Sequence, residues 1–351
     1  MRIGIAIVSM NRPETLRQTL AYAYEVDDSL VIVDNGSTDP ATHEILDGCS
    51  HVLRNATNVG LSAAVNQGLA IRSMPGIDIL VHLDDDALLH DPGGAIAAIQ
   101  QAFTDNPQLG LALPNSFHYG EFIERGQYNE LRWGLGFCWA IRRELYEQIG
   151  GYDEQLLHQQ ECDLSLRVRM AGYHVGAVHG FRATHNDPGG GERSANSLGR
   201  EHLGTVQFRD KWTSYFRGNI SPWVPWSYGT MPLYLMQHWP PDQEWYRQYA
   251  EAHGLVLNPP APDGRGPLPP GSVLGLTAAD TGNVKDFPRL VELSGGNYLV
   301  YAELRNDYGY WCTGDGYLTD RQLAIDNWER LTGERYTGYD WGAQAARRMG
   351  R

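Results

Sequence analysis

The amino-acid sequence predicts an α/β protein: a doubly wound, mostly parallel sheet with helices on both faces, followed by a smaller aromatic-rich region. Three observations carry this expectation. Near-continuous apolar runs at residues 3–8, 30–33 and 77–83 suit strands buried on both faces, and stretches of helical spacing separate them. Each run ends in polar residues (Ser9 to Arg12, Asp34–Asn35, Asp84–Asp86), and open sheets gather ligands at the carboxyl ends of their strands. Beyond Arg200 the alternation fades, and a Pro/Gly-rich stretch at 258–271 marks a linker.

The first strand runs into Asn11-Arg12-Pro13-Glu14, where Pro13 presets a helical φ and Glu14 suits the positive end of a first turn. That helix places Leu16, Leu20 and Ala23 on one face. The second strand ends in Asp34-Asn35-Gly36-Ser37-Thr38-Asp39, and a helix at 41–46 and a short strand at Val52-Leu53 follow. Next comes Asn58-Val59-Gly60 before a helix of small residues, and Gly60 there lets a backbone come close to a ligand. The strand at 77–83 ends in Asp84-Asp85-Asp86. Three successive carboxylates repel one another, so this strand end calls for a cation; a solvated acidic turn that caps a following helix is the plain alternative.

The chain has 351 residues, 42% hydrophobic and 20% charged, enough for a domain at 1–219 and a second region at 220–351. The N-terminal run is too short and strand-like for a signal peptide, and no apolar run approaches the roughly 20 residues of a membrane span. Cys49, Cys138, Cys162 and Cys312 are far apart without metal-type spacing, so reduced thiols and a cytoplasmic location are the expectation. A formal charge of −14 argues against nucleic acid as partner, because phosphate backbones select basic surfaces. No Gly-x-Gly-x-x-Gly follows the first strand and no Gly-Lys-Ser/Thr loop occurs, which weakens dinucleotide and P-loop readings.

Ile7-Val8-Ser9 with Asn11-Arg12, Val33 to Asp39, Asn58-Val59-Gly60 and Leu83-Asp84-Asp85-Asp86 resemble, in order, the motifs of a family 2 glycosyltransferase of the Rossmann-like GT-A fold. The resemblance extends to about residue 215 through the glycine segment 134–143, Gly150-Gly151-Tyr152-Asp153-Glu154, and Glu161-Cys162-Asp163-Leu164-Ser165-Leu166-Arg167 with Ala171-Gly172-Tyr173. It implies an inverting enzyme that moves a sugar from a nucleotide-diphosphate donor, a UDP- or dTDP-sugar, to a hydroxyl of a glycan or small molecule with Mn²⁺ or Mg²⁺. Ser9, Asn11, Arg12, Asp34, Asn58, Gly60, Asp84 and Asp85 would then hold the donor, and Trp133, Gly134 and Gly136 would face the acceptor. Asp86, Asp84 and His185 would bind the metal, though His185 is also readable as an ordinary loop residue, and Asp34 as the start of an Asx turn. The family's catalytic acid pair falls on Gln160-Glu161, so the base is Glu161, with Asp163 as the second candidate. Asp163 is equally placed to pair with Arg167 one turn on.

The loop 188–194, with three glycines, reads as a lid. Residues 208–217 form an amphipathic aromatic-basic stretch that could support or close the donor site, 298–304 a strand, and 320–331 a helix with Thr319 as cap. The region 220–351 is expected to serve acceptor choice or a homodimer contact. A glycosyltransferase of modified nucleic-acid bases and a non-catalytic nucleotide-sugar binder are the alternatives.

Overall fold

The computed structural model describes residues 1–26, 30–70, 76–116, 122–186, short stretches between 203 and 319, and 321–340. The chain divides into two compact units, Met1–His118 with Glu124–Arg193 and Asp340–Arg351, and Tyr119–Ile123 with Ser194–Tyr339. Among the described residues no helix is long and apolar enough to cross a membrane.

The first unit is built on strands β1 (Ile3–Ser9), β2 (Leu30–Asp34), β3 (Val52–Arg54), β4 (Ile79–Asp84), β5 (Ala87–His90), β6 (Leu109–Pro114), β7 (Ile123–Glu124), β8 (Tyr128–Leu131), β9 (Cys138–Arg142), β10 (His174–Val178) and β11 (Arg182–His185). Its helices are α1 (Pro13–Val26), α2 (Pro40–Asp47), α3 (Leu61–Leu69), α4 (Pro92–Asp105), α5 (Arg143–Ile149) and α6 (Gln160–Met170). Nine strands form the main sheet in the order β3-β2-β1-β4-β9-β6-β10-β8-β7. The half from β3 to β4 is parallel, as expected. The other half is mixed: β9 runs antiparallel to both β4 and β6, and β8 antiparallel to β10. The sheet is mostly parallel in strand direction, as expected: β3, β2, β1, β4, β6 and β10 run one way. β8 and β9, joined by residues 132–137, run against them.

Alternation along β1 sorts the helices onto the two faces. Ile3, Ile5 and Ile7 join one buried cluster with Leu16, Leu20 and Ala23 of α1, Leu46 of α2, and Ile99 and Phe103 of α4. Ala6 points the other way, toward α3. A Cβ on Gly68 of α3 would lie 2.9 Å from the Ala6 methyl and 3.0 Å from Val33, so the small residues permit this close packing. On the same face, a Cβ on Gly110 of β6 would lie 3.0 Å from Val168 of α6 and 2.7 Å from Leu145 of α5. Residues of β4 in register with Ala6, beginning with His82, therefore share the face covered by α3, α5 and α6.

In the second unit, residues 203–212 are helical where described, and Phe208, Lys211 and Trp212 of the aromatic-basic stretch are buried. The Lys211 ammonium lies 5.2 Å from the Trp212 ring and 5.4 Å from that of Tyr339, while Tyr336 donates to Asp210 at 3.0 Å. A two-stranded parallel pair, β12 (Val256–Leu257) and β13 (Ser272–Val273), and a three-stranded antiparallel sheet, β14 (Leu304–Arg305), β15 (Tyr310–Thr313) and β16 (Gly316–Thr319), precede α7 (Arg321–Thr332). Thr319 thus closes a strand next to that helix. The expected lid at 188–194, the linker and most of the strand at 298–304 lie outside the described residues.

Candidate functional site

Asp84 ends β4, and its backbone N–H donates to the Phe137 carbonyl at 2.8 Å. With period-2 alternation, Asp84 and His82 point to the same face, and His82 Nε2 lies 3.0 Å from Asp84 Oδ1. Asp85 turns the other way. Ser9 Oγ donates to its Oδ2 at 2.7 Å and Thr19 Oγ1 to its backbone oxygen at 2.8 Å, so the carboxylate is locked beneath the loop. Burial above all, with the charges of Asp84 and Asp86, pushes Asp85 up to about 7 against the pull of Ser9 and Arg12. Ser9 and Asp85, expected to hold the donor, are instead buried partners that support the loop from within.

No helix follows the triplet. The chain turns directly into β5, which pairs antiparallel with β11 so that Ala87 faces His185. The Asn186 N–H donates to the Asp86 carbonyl at 2.8 Å, and His185 Nε2 comes to 3.2 Å from Asp86 Oδ1. Phe137 stacks on the His185 ring at 4.9 Å and 28°. The other Asp86 oxygen takes the Arg12 guanidinium, which also stands 3.6 Å from Asp85. Burial works to raise the Asp86 carboxyl, but His185 and Arg12 outweigh it and hold it below the usual carboxylate range. Asp84, Asp86 and His185 thereby offer one ligand atom each, all within 4.8 Å of one another. Two carboxylates and an imidazole are a donor set that suits a divalent cation such as Mn²⁺.

The ends of β1, β2 and β3 form a polar rim. Asn11, at φ 54°, accepts from the N–H groups of Thr38 and Asp39 at 2.7 and 2.8 Å and so ties the first strand end to the second. Asp34 is buried, accepts from Ser37 N at 2.9 Å and meets Arg54 at 3.5 Å; the Asx-type turn and the strand-end position coexist. Gly36 makes the turn at φ +81°, where a Cβ would lie 2.4 Å from the Thr57 carbonyl carbon. Asn35, which sequence reasoning passed over as a site residue, accepts from Val59 N at 3.0 Å and donates to Asn58 Oδ1 at 3.1 Å. Asn58 in turn accepts from Gly60 N at 2.8 Å, and Gly60, at φ +91°, starts α3. Its signal was available: an Asn directly after a strand-end Asp, before a Gly turn.

Glu161 sits in the first turn of α6 on the face shared with Asp84. Burial raises its carboxyl to about 7, with the nearby Asp84 charge adding to the effect and a backbone hydrogen bond opposing it. A Cβ on Gly136 would lie 3.5 Å from the nearest Glu161 carboxylate oxygen, so this glycine leaves the space beside the acid open. Gly134 has another job: a Cβ there would lie 1.9 Å from a Leu113 methyl, so its smallness serves packing. Trp133 is half-buried in the same segment. Asp163 is fully buried and receives Arg167 through two nitrogens at 2.8 and 2.7 Å, while Arg167 also donates to the Ile149 carbonyl at 2.8 Å.

Residues 4–107 match the model of glycosyl transferase family 2. An N-acetylglucosaminyl-diphospho-decaprenol L-rhamnosyltransferase of Mycobacterium tuberculosis is 24% identical over 254 residues, 59% of this chain and 83% of that protein. The succinoglycan biosynthesis protein ExoA of Rhizobium meliloti is 28% identical over 180 residues, 42% of this chain and 50% of its own length. Among solved structures, the mannosyltransferase PcManGT from Pyrobaculum calidifontis, in complex with GDP-Man and Mn²⁺, superposes with a TM-score of 0.51 at 20% identity, covering 72% of this chain and 70% of that one. At that identity the superposition speaks for the fold, and it agrees with the strand order and the helices on two faces. The motifs, the family match over residues 4–107 and the fold point the same way: this chain is similar to family 2 glycosyltransferases and has the GT-A fold.

Proposed function

We propose that the chain transfers a sugar, with inversion, from a nucleotide-diphosphate sugar to a hydroxyl acceptor in a metal-dependent reaction, with Glu161 as the general base. The observation that carries this reading is the convergence of Asp84, Asp86 and His185 on one face with a carboxyl, Glu161, raised to about 7. Asp86 and His185, with Asp84, would hold the divalent cation; bound there, it supplies positive charge to stabilise the departing diphosphate. Asn11, held by Thr38 and Asp39, lines the nucleotide side with Asp34 and Arg12 and with Asn58 and Gly60, which Asn35 holds in place. Arg12, half-exposed beside Asp86, brings a second positive charge to the diphosphate end.

Glu161 accepts the proton of the incoming hydroxyl, and Gly136 leaves the room for that hydroxyl to reach it. An acid of pKa about 7 is matched to proton transfer near neutral pH. Attack from the Glu161 side displaces the diphosphate from the opposite face in one step, so the anomeric configuration inverts. UDP- and dTDP-sugars are the donors to test, with a rhamnosyl donor among them because one relative is named a rhamnosyltransferase. A thermal-shift screen of UDP-, dTDP- and GDP-sugars with and without Mn²⁺ is the decisive first experiment. A donor that stabilises the protein only with Mn²⁺ supports the reading, and the absence of any metal-dependent shift across the panel refutes it.

A further inference from the structure

We propose that His82 is a positioning residue for the donor site: its Nε2–H hydrogen bond to Asp84 Oδ1 holds that carboxylate in one orientation and leaves Oδ2 as the oxygen offered to ligand. The proposal rests on the reading of Asp84 as a donor-side carboxylate. A histidine in the middle of a core strand is costly unless its ring nitrogens find partners, and His82 is fully buried. Neighbouring strands hold it in place, with Ala6 of β1 in register on one side and Trp139 of β9 on the other. Its ring packs against that of Trp139 at 5.3 Å. Trp139 is itself fixed, since its Nε1–H donates to the Tyr152 hydroxyl at 2.9 Å and both side chains are buried.

The imidazole therefore has no room to turn away, and its polar reach is limited. Nε2 meets Asp84 at 3.0 Å, whereas Nδ1 has no hydrogen-bond partner. A hydrogen bond to a carboxylate needs the proton on the nitrogen that makes it, and the acceptor within reach is Asp84, so Nε2 carries a proton. Asp84 needs such a hold. Its side chain is about a quarter exposed at a strand end, next to two further carboxylates and facing Glu161, and repulsion alone would let it swing to solvent. Partners of this kind behind a ligand-binding carboxylate set its direction before the ligand arrives.

Two measurements test this. In the ligand-free protein, ¹⁵N shifts of the His82 ring should report the Nε2–H tautomer; the Nδ1–H tautomer would overturn the proposal. In calorimetry with UDP and saturating Mn²⁺, His82→Leu should weaken binding by about 10–100-fold. His82→Gln, whose amide can return an N–H toward Asp84, should regain most of it. Unchanged affinity in His82→Leu, or a folded His82→Gln as weak as the leucine variant, would overturn it. Should His82→Leu fail to fold, the tautomer and the glutamine variant still decide. A wild-type protein that binds no nucleotide with Mn²⁺ would instead sink the reading of the site, which the ring-nitrogen measurement, needing no ligand, keeps separate.

Discussion

Glu161 and Asp163 lie two residues apart on one helix, and their surroundings give them different tasks. Asp163 is buried and neutralised by Arg167, whereas Glu161 stands beside Gly136 with its carboxyl raised to about 7 by burial. Glu161→Gln keeps the shape but cannot accept a proton, so turnover should fall by about 10²–10⁴-fold while nucleotide affinity is unchanged. Rate and binding measurements on one preparation check this. The pH dependence has a definite sign. The base works as the carboxylate, so kcat/KM should fall about tenfold per unit as pH drops below 7 and level off above it. For stability the elevation acts the other way: Glu161 contributes fully below its ordinary 4.5, and the contribution is lost as pH rises through about 7. At the Asp84, Asp86 and His185 cluster, Asp86→Asn should remove the Mn²⁺-dependent part of UDP affinity in calorimetry and leave the fold intact. These candidate residues stood out because an Asp triplet at a strand end and an acid pair in a motif are local patterns. That Ser9 and Asp85 would turn inward to each other was not legible, since it depends on two strand ends 76 positions apart in the chain.

At the scale of elements, α6 and the β5·β11 ribbon do the positioning. Asp163 and Arg167 clamp the first turns of α6 to the Ile149 carbonyl, which holds Glu161 in place from one turn away. Asp163→Asn removes the compensating charge from a buried guanidinium and should cost roughly 3–5 kcal/mol of stability. Urea unfolding would show the loss, and the folded fraction should still turn over; a dead but fully stable variant would make Asp163 the base. The ribbon brings His185 to Asp86 across nearly a hundred residues of chain. Its first strand was not read from the sequence: Ala87 and Leu89 are buried while Leu88 is half-buried and His90 exposed, an alternation too short to stand out beside the Asp triplet. Nor was its partner, because pairing is set by contacts that no local pattern records.

At the scale of the molecule, the residues proposed to hold the donor all precede Asn186 and lie in the first unit. A fragment of residues 1–219 should therefore still bind UDP with Mn²⁺ at close to the affinity of the whole chain. It forfeits two hydrogen bonds between Gln155 and Asp340, at 2.8 and 3.0 Å, worth about 1 kcal/mol each. Calorimetry on the folded fragment checks this, and a folded fragment without affinity would show that later residues complete the site. The sequence by itself determined the parallel half of the sheet, the helices that cover it and the polar character of its strand ends. Each of these follows from periodicity and from the chemistry of neighbouring residues. Tertiary structure alone decided the reversed direction of β9, the meeting of His185 with Asp86, and the packing of His82 against Trp139. The physical reason is shared: strand direction, register and facing side chains come from pairings between distant segments, and a one-residue slip in any of them would turn every side chain to the opposite face.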